Sequence, residues 1–429
     1  MANQYKPLEG IRVVELSYMV AGPSAGRYLA EWGAEVIKVE KKSGDTFRFY
    51  PRSMGMPIDQ DCNPLYDLVN GGKRDVVFDI TKPEGMEAFD KLLATADVFL
   101  TSNRPKSLKK NGLDYETLSK KYPRLVYALL SSYGLTGPRK NEPGQDTISF
   151  WAATGFNADM MTVTENGGGY PVYGNNGAGD LVTGLGLAYA IVCALFKREK
   201  TGEGDFVVNS LFGMGLWTTS EYNIGSLPQY SWVMPKTRLS SAAGSSPFKC
   251  KDGEWFMAVC PNVEFDWPKF ANAVGRPDWI NDRFGTTAGQ ADLDNRAYLM
   301  TECEKIFASK TSKEWDEIFT KADVTHCVLA HYGDFATDVQ AHENHYAFEV
   351  EYNNGHKVQM IRPAMSSFKM GVPEFKRASM TGEDTNDVLK ELGYTDEQVS
   401  SLNQTGAVQQ IDAAKFNPGL KETEGKLGE

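Results

Sequence analysis

Asp180 stands at the mouth of the most apolar stretch of the chain, GAGDLVTGLGLAYAIVCALF (177–196). An acid just before an apolar-periodic run reads as a helix N-cap, its oxygen accepting an orphan backbone N–H. The same place suits a carboxylate nucleophile, because the positive end of the helix dipole keeps the group ionised and gathers donors beside it. The local pattern leaves both readings open. All five histidines lie at or beyond His326, so chemistry at Asp180 runs without an imidazole unless the distant ones fold back. No HExxH or other metal-ligand spacing appears, so no metal site is expected. The six cysteines (62, 193, 250, 260, 303, 327) contain no CxxC pair and read as reduced, mostly core thiols.

The chain around this acid has 429 residues and a net charge of −11. That length predicts two domains. The acidic balance disfavours nucleic acid and anionic membrane as partners. An anionic ligand then needs local basic islands, and two stand out: Lys73–Arg74, and Arg104, Lys106, Lys109 and Lys110. The opening MANQYKPLEGIRVVEL has no basic segment followed by an apolar stretch and cleavage site, which predicts no secretory signal and a cytoplasmic location. Leu181–Phe196 is shorter than the roughly 20 residues of a bilayer span and reads as a buried core helix.

The elements that must position Asp180 alternate in type. IRVVEL reads as a strand, AGPSAG as a small-residue turn, RYLAEWGA as a helix and EVIKVE as a second strand. This βαβ unit predicts a parallel sheet with right-handed crossovers. Glu40 falls near the ribose position of a dinucleotide fold, but Gly22 and Gly26 form GxxxG rather than GxGxxG, so a nicotinamide dehydrogenase is weakly supported. RDVVFDI, DVFLTS and LVYALLSSYG continue the strands; 83–96 and YETLSKKY supply helices; 147–154 is helical and 166–179 a glycine-rich loop. FVVNSLFGMGLW passes from strand to helix. The expected architecture is α/β: a Rossmann-like large domain with a parallel sheet over 1–222, and a smaller α+β domain over 228–330. That smaller domain has a hairpin at Asp252–Gly253 and helices at 264–274, 292–309 and 314–322. A looser segment over 340–429 carries one terminal helix at VLKELG.

An ordered set of stretches then resembles the class III CoA-transferases, the family of formyl-CoA transferase and the carnitine and bile-acid CoA-transferases. They are LEGIRVVEL…AGP, GAEVIKVE, NGGKRDVVFDI, RPKSLKKNGL, YPRLVYALLSSYGLTGP, PGQD (143–146), GD at 179–180, KTGEGD, DGEWF and EWDEIF. The resemblance implies an interlocked homodimer in which 340–429 returns to the large domain. It implies Asp180 as catalytic nucleophile, acyl-CoA and a carboxylic acid as substrates, and no permanently bound cofactor. A carboxylate with the ordinary Asp pKa of about 3.9 needs no general base at neutral pH. By position, Val20 and Ala21 lie beside the thioester, and Lys41 and Lys110 meet the nucleotide phosphates. Phe78 to Thr81 and Ser102, Asn103 and Arg104 line adenosine and diphosphate. Gln145 and Asp146 fall near the reacting acid. Ser240–Ala243 matches a glycine-rich lid. Gln145 stands where the related racemases carry a proton-transferring His, and an amide cannot carry that proton. Transferase therefore ranks over racemase, dehydrogenase and non-catalytic CoA-binding protein. YDLVNGGKR, GLDYETLSKKYP and LKELGYTDEQV resemble the branch of (R)-phenyllactate and 2-hydroxyisocaproate CoA-transferases of amino-acid fermentation. That branch implies a 2-hydroxy acid, with Tyr18, Met19, Phe150 and Trp151 as candidate lining for its side chain.

Overall fold

The computed structural model describes residues 6–56, 58, 62–160, 168–230, 237–353 and 355–411. The described residues within 6–154, 174–220 and 335–411 form one compact unit, and those within 155–173 and 221–334 a second. Residues 155–160 and 168–173 thus belong with the smaller unit.

The larger unit is built on a seven-stranded sheet in the order β12-β3-β2-β1-β4-β5-β6. The strands are β1 (Arg12–Leu16), β2 (Glu35–Glu40), β3 (Arg74–Phe78), β4 (Val98–Thr101), β5 (Val126–Ser131) and β6 (Asp205–Ser210), all parallel, with β12 (Val408–Gln409) antiparallel at one edge. Side chains alternate across each strand. Val13, Val36, Val98, Leu100 and Val126 face helix α1 (Ala21–Glu31) and the long helix Ala178–Thr201. Val14, Ile37, Val39, Phe99 and Tyr127 face the opposite layer, with Phe89 and Leu92 of helix Pro83–Leu93. A sheet covered on both faces is the regime in which parallel strands are stable. By length and composition Ala178–Thr201 could cross a membrane. Here its Leu187, Ala188, Ile191, Ala194 and Leu195 belong to the sheet's core, as expected of a core helix.

Three sequence expectations change. AGPSAG is not a turn: α1 begins at Ala21 and includes it. Pro23 is tolerated there because first-turn N–H groups have no intrahelical partner. The 147–154 helix is a π-helical turn, Asp146–Trp151, followed by a 3₁₀ turn, Ala152–Thr154. The tail is richer than one helix. It holds a hairpin of β10 (Ala347–Glu351) and β11 (Lys357–Ile361), helices Thr385–Glu391 and Asp396–Thr405, and β12. Of the glycine-rich loop 166–179, residues 166 and 167 lie outside the described residues.

The central strands also carry charge. Glu15, Lys38, Glu40 and Asp75 are all buried. Glu40 accepts from Arg48 at 3.1 Å, the Tyr66 hydroxyl at 2.6 Å and the Asp45 N–H at 3.0 Å, so it is occupied inside the unit and not free for a ribose. Lys73 is spent likewise, on Glu15 (2.8 Å), the Pro23 carbonyl (2.7 Å) and Asn70 (2.9 Å). Arg74 pairs with Glu35 and Glu391, which removes the Lys73–Arg74 island as a ligand site.

The smaller unit packs helices Val263–Ala273, Leu293–Phe307 and Ser312–Lys321 on a three-stranded antiparallel sheet of β7 (Pro247–Lys249), β8 (Trp255–Ala258) and β9 (His326–Val328). Its core is aromatic, with Trp267, Phe270, Phe307 and Trp315 buried together. Within it, Ser240 is tied to Thr237 and its carbonyl to Arg296, and Ala243 is core.

Candidate active site

Helix Ala178–Thr201 starts after Gly177, which sits at φ 89°. Asp180 is its third residue and caps nothing, which overturns the capping reading. The cap comes from another loop. Asp146 Oδ2 accepts from the Gly177 N–H at 2.7 Å and from Trp151 Nε1 at 3.3 Å. The N–H groups of Gly179 and Asp180 also favour the Asp146 charge, although burial outweighs them and raises its pKa. Asp146 Oδ1 is buried without a hydrogen bond of good geometry. Only glycine fits at 179, because a Cβ there would overlap the Asp146 carboxylate and lie 2.6 Å from a Phe150 ring carbon.

Asp180 is left without a hydrogen-bond partner among the described residues. It retains some solvent access, yet burial first, and the negative Asp146 second, push its carboxyl up to about 7. The expectation of an ordinary, freely ionised aspartate gives way to a poorly solvated one. The neighbouring acid has taken the helix-end donors that were expected to serve it.

The β1–α1 connection lies against this helix. The Tyr28 hydroxyl donates to the Leu181 carbonyl at 3.3 Å, and a Cβ at Gly184 would lie 2.7 Å from the Ala21 carbonyl oxygen. Ala21 thereby abuts Gly184, the residue one helical turn beyond Asp180. Met19, Val20, Tyr50 and Leu181 pack around a small cluster of Phe47, Tyr66, Val69 and Ala378. Asn176 Nδ2 donates to the Tyr50 hydroxyl at 3.0 Å. Phe150 is fully buried beneath Gly179 and Trp151 is bonded to Asp146, so neither is free lining, whereas Tyr18 is exposed.

The remaining candidates follow the C-terminal ends of adjacent parallel strands, the edge where open α/β sheets bind ligands. Lys41 follows β2 and is exposed. Phe78 ends β3 with its side chain in the core, so only its backbone is available. Thr81 is exposed and donates backbone and hydroxyl to Asp79. After β4, Ser102 accepts from the Tyr18 N–H at 3.4 Å, the Asn103 N–H bonds Thr101, and Arg104 precedes helix Pro105–Lys110. Arg104, Lys106, Lys109 and Lys110 are exposed and carry no ion pair among the described residues. Gln145 and Asp146 follow β5. Met19 is a candidate from sequence only as side-chain lining, and Lys38, Asp45 and Asn176 are not candidates at all; the one signal for them is Lys38, a charge inside a buried strand.

The family model for CoA-transferase family III matches residues 8–385. The chain belongs to CoA-transferase family III. The cinnamoyl-CoA:phenyllactate CoA-transferase of Clostridium sporogenes is 34% identical over 412 residues, covering 94% of this chain and 97% of that protein. The (R)-2-hydroxy-4-methylpentanoate CoA-transferase of Clostridioides difficile is 32% identical, covering 94% and 99%. A crystal structure of a CaiB/BaiF family protein from Brucella suis superposes with a TM-score of 0.73 at 27% identity, covering 91% of this chain and all of that one. Acyl-CoA and carboxylic acid substrates fit this family, and the exposed Arg104, Lys106, Lys109 and Lys110 follow the C-terminal end of β4.

Proposed function

We propose that this CoA-transferase moves CoA between an acyl-CoA and a free 2-hydroxy acid, with Asp180 as the nucleophile. The carrying observation is the Asp180 carboxylate: poorly hydrated, without a hydrogen-bond donor among the described residues, and one helical turn before Gly184, against which Ala21 packs. A carboxylate stripped of hydration is a stronger nucleophile than one in water. It attacks the thioester carbonyl, and the tetrahedral oxyanion collapses to a mixed anhydride and CoA thiolate. The thiolate attacks the aspartyl carbonyl, releasing the first acid and leaving an aspartyl-CoA thioester. The second acid attacks that thioester, giving a new anhydride and thiolate. The thiolate then takes the acyl group and frees Asp180. Each step exchanges one activated acyl bond for another.

In this reading Val20 and Ala21 flank the thioester, Lys41, Arg104 and Lys110 meet phosphates, and Ser102, Asn103, Thr81 and the Phe78 backbone border the nucleotide. Gln145 and Asp146 border the reacting acid. Met19, Val20, Tyr50 and Leu181 offer apolar surface to a bulky side chain. That surface, and relatives acting on phenyllactate and 2-hydroxy-4-methylpentanoate, support a 2-hydroxy acid with an apolar side chain. The reading includes an interlocked homodimer, as the family resemblance implies.

The test is a panel of carboxylic acids against one acyl-CoA donor, followed by chromatography of the CoA esters. Exchange with 2-hydroxy acids is expected. Failure of every pair would remove the transferase reading. A carboxyl poised near neutrality also suits proton transfer, and α-proton exchange into deuterated water without acyl transfer would establish a racemase instead.

A further inference from the structure

Met19 has φ 64°, in the left-handed region. The other non-glycine residues with positive φ among those described are Asp323 and His345, types that enter this region more readily than methionine. Backbone strain of this kind persists only where surroundings over-determine it, and it clusters at functional sites. The surroundings here are specific. The Met19 N–H donates to Asp45 Oδ1 at 3.1 Å, and the same oxygen accepts from the Phe47 N–H at 2.9 Å. The Thr46 hydroxyl donates to the Met19 sulfur at 3.2 Å. One residue earlier, the Tyr18 N–H donates to Ser102.

The turn is also fixed from beneath. Lys38 Nζ donates to the Ser17 carbonyl at 2.9 Å and to Glu15 at 3.1 Å, and it lies 3.1 Å from Asp45 Oδ2 as an ion pair. Two of its three N–H groups thus have hydrogen-bond acceptors, and Asp45 adds an opposite charge at ion-pair distance. Lys38 and Asp45 are almost completely buried, and Asp45 is anchored in turn through its own N–H to Glu40. A lysine is costly in the middle of a buried strand. This one bonds the chain where β1 leaves the sheet and holds the acid that bonds Met19. Beyond the turn, Val20 and Ala21 open α1, and Met19, Val20 and Leu181, the residue after Asp180, pack against the same buried cluster of Phe47, Tyr66, Val69 and Ala378.

We propose that Lys38 and Asp45 are positioning residues for acyl transfer: together they hold the 17–19 turn in its left-handed conformation, which sets Val20 and Ala21 beside Asp180. The inference rests on the transferase reading. It goes beyond that reading by assigning a role to two buried charges that touch no substrate. They act on the chemical step through backbone geometry, where a displacement of an ångström at the reacting centre costs on the order of 100-fold in rate.

The test uses the full-length protein and an acid/acyl-CoA pair that the unaltered enzyme turns over, with thermal melting of each variant to establish folding. Asp45→Ala should lower kcat by roughly 10- to 100-fold while KM for acyl-CoA changes less than about threefold, the pattern of an interaction realised in the transition state. Asp45→Asn keeps an acceptor for the Met19 N–H but sets an amide NH2 toward Lys38, so it should recover only part of the rate lost in Asp45→Ala. Adding Met19→Asn to Asp45→Ala should recover several-fold, on the order of the strain relieved, because asparagine enters the left-handed region readily. Met19→Val keeps an apolar side chain but resists that region, and should slow kcat with Lys38 and Asp45 intact. It decides the matter if Asp45→Ala does not fold. An unchanged kcat in folded Asp45→Ala or in Met19→Val overturns the proposal. So does a loss in Asp45→Ala that neither asparagine restores. If the unaltered enzyme moves no CoA between any acids, the transferase reading fails and takes this one with it. An active enzyme with indifferent variants overturns the positioning role alone.

Discussion

Asp180→Asn should make the protein more stable at pH 8 and leave its stability nearly unchanged near pH 4. In the unfolded chain the carboxyl titrates near 3.9. In the folded chain it is pushed up to about 7, by burial first and by Asp146 second. A raised carboxyl means that the folded state holds its proton longer. Below about pH 4 both states are protonated and nothing is lost. Between about 4 and 7 the unfolded chain ionises first, and the native state loses stability as pH rises. Above about 7 the penalty is complete, about three pH units at 1.36 kcal/mol each, or about 4 kcal/mol. Asparagine carries none of it. The larger unit has about 300 residues. At roughly 2.1 cal/mol/K of unfolding entropy per residue, 4 kcal/mol corresponds to about 6 °C in Tm. The assay is calorimetric melting of both proteins near pH 4.5, 6 and 8. The gain should grow across the series to its full size at pH 8. A gain of equal size at every pH, or no gain at pH 8, would show that Asp180 is an ordinary solvated carboxylate and refute the reasoning.

The same carboxyl sets the acid limb of the rate: kcat/KM should rise with pH and level off above about 7, and Asp146→Asn should move that limb to lower pH by removing the adjacent negative charge, as read from a pH–rate profile. Gly179→Ala should cost most of the activity, since its methyl group would overlap Asp146 and Phe150; steady-state kinetics on the folded variant checks this. Lys110→Ala should raise KM for acyl-CoA by about fivefold with little change in kcat, an effect of about 1 kcal/mol that shrinks in high salt. Kinetics at two salt concentrations measures it.

The strands were legible because RVVEL, EVIKVE and RDVVF are short β-branched runs. Their order was not, because β12 closes the edge from the far end of the chain with only two residues. The start of α1 was misread because Gly22 and Pro23 signal a break anywhere except a helix's first turn, where they stand. At Asp180, local pattern supported capping, and the family resemblance supported the nucleophile. Neither revealed that Asp146, from a separate loop, takes the helix-end donors. That contact depends on tertiary folding and leaves no mark in the spacing of either segment. The buried charges were visible as letters: Lys38 between Ile37 and Val39 is an anomaly for a strand covered on both faces. What they bind was not, since Asp45 and Ser17 reach Lys38 only once β1 and β2 have paired.

The central claim is that Asp180 carries the activated acyl group and then CoA. It is tested most directly by turnover in the presence of hydroxylamine, followed by peptide mass spectrometry. Progressive inactivation is expected, with a hydroxamate at Asp180 and neither label nor CoA transfer in Asp180→Ala. A hydroxamate on another residue, or transfer by Asp180→Ala at the unaltered rate, would contradict it.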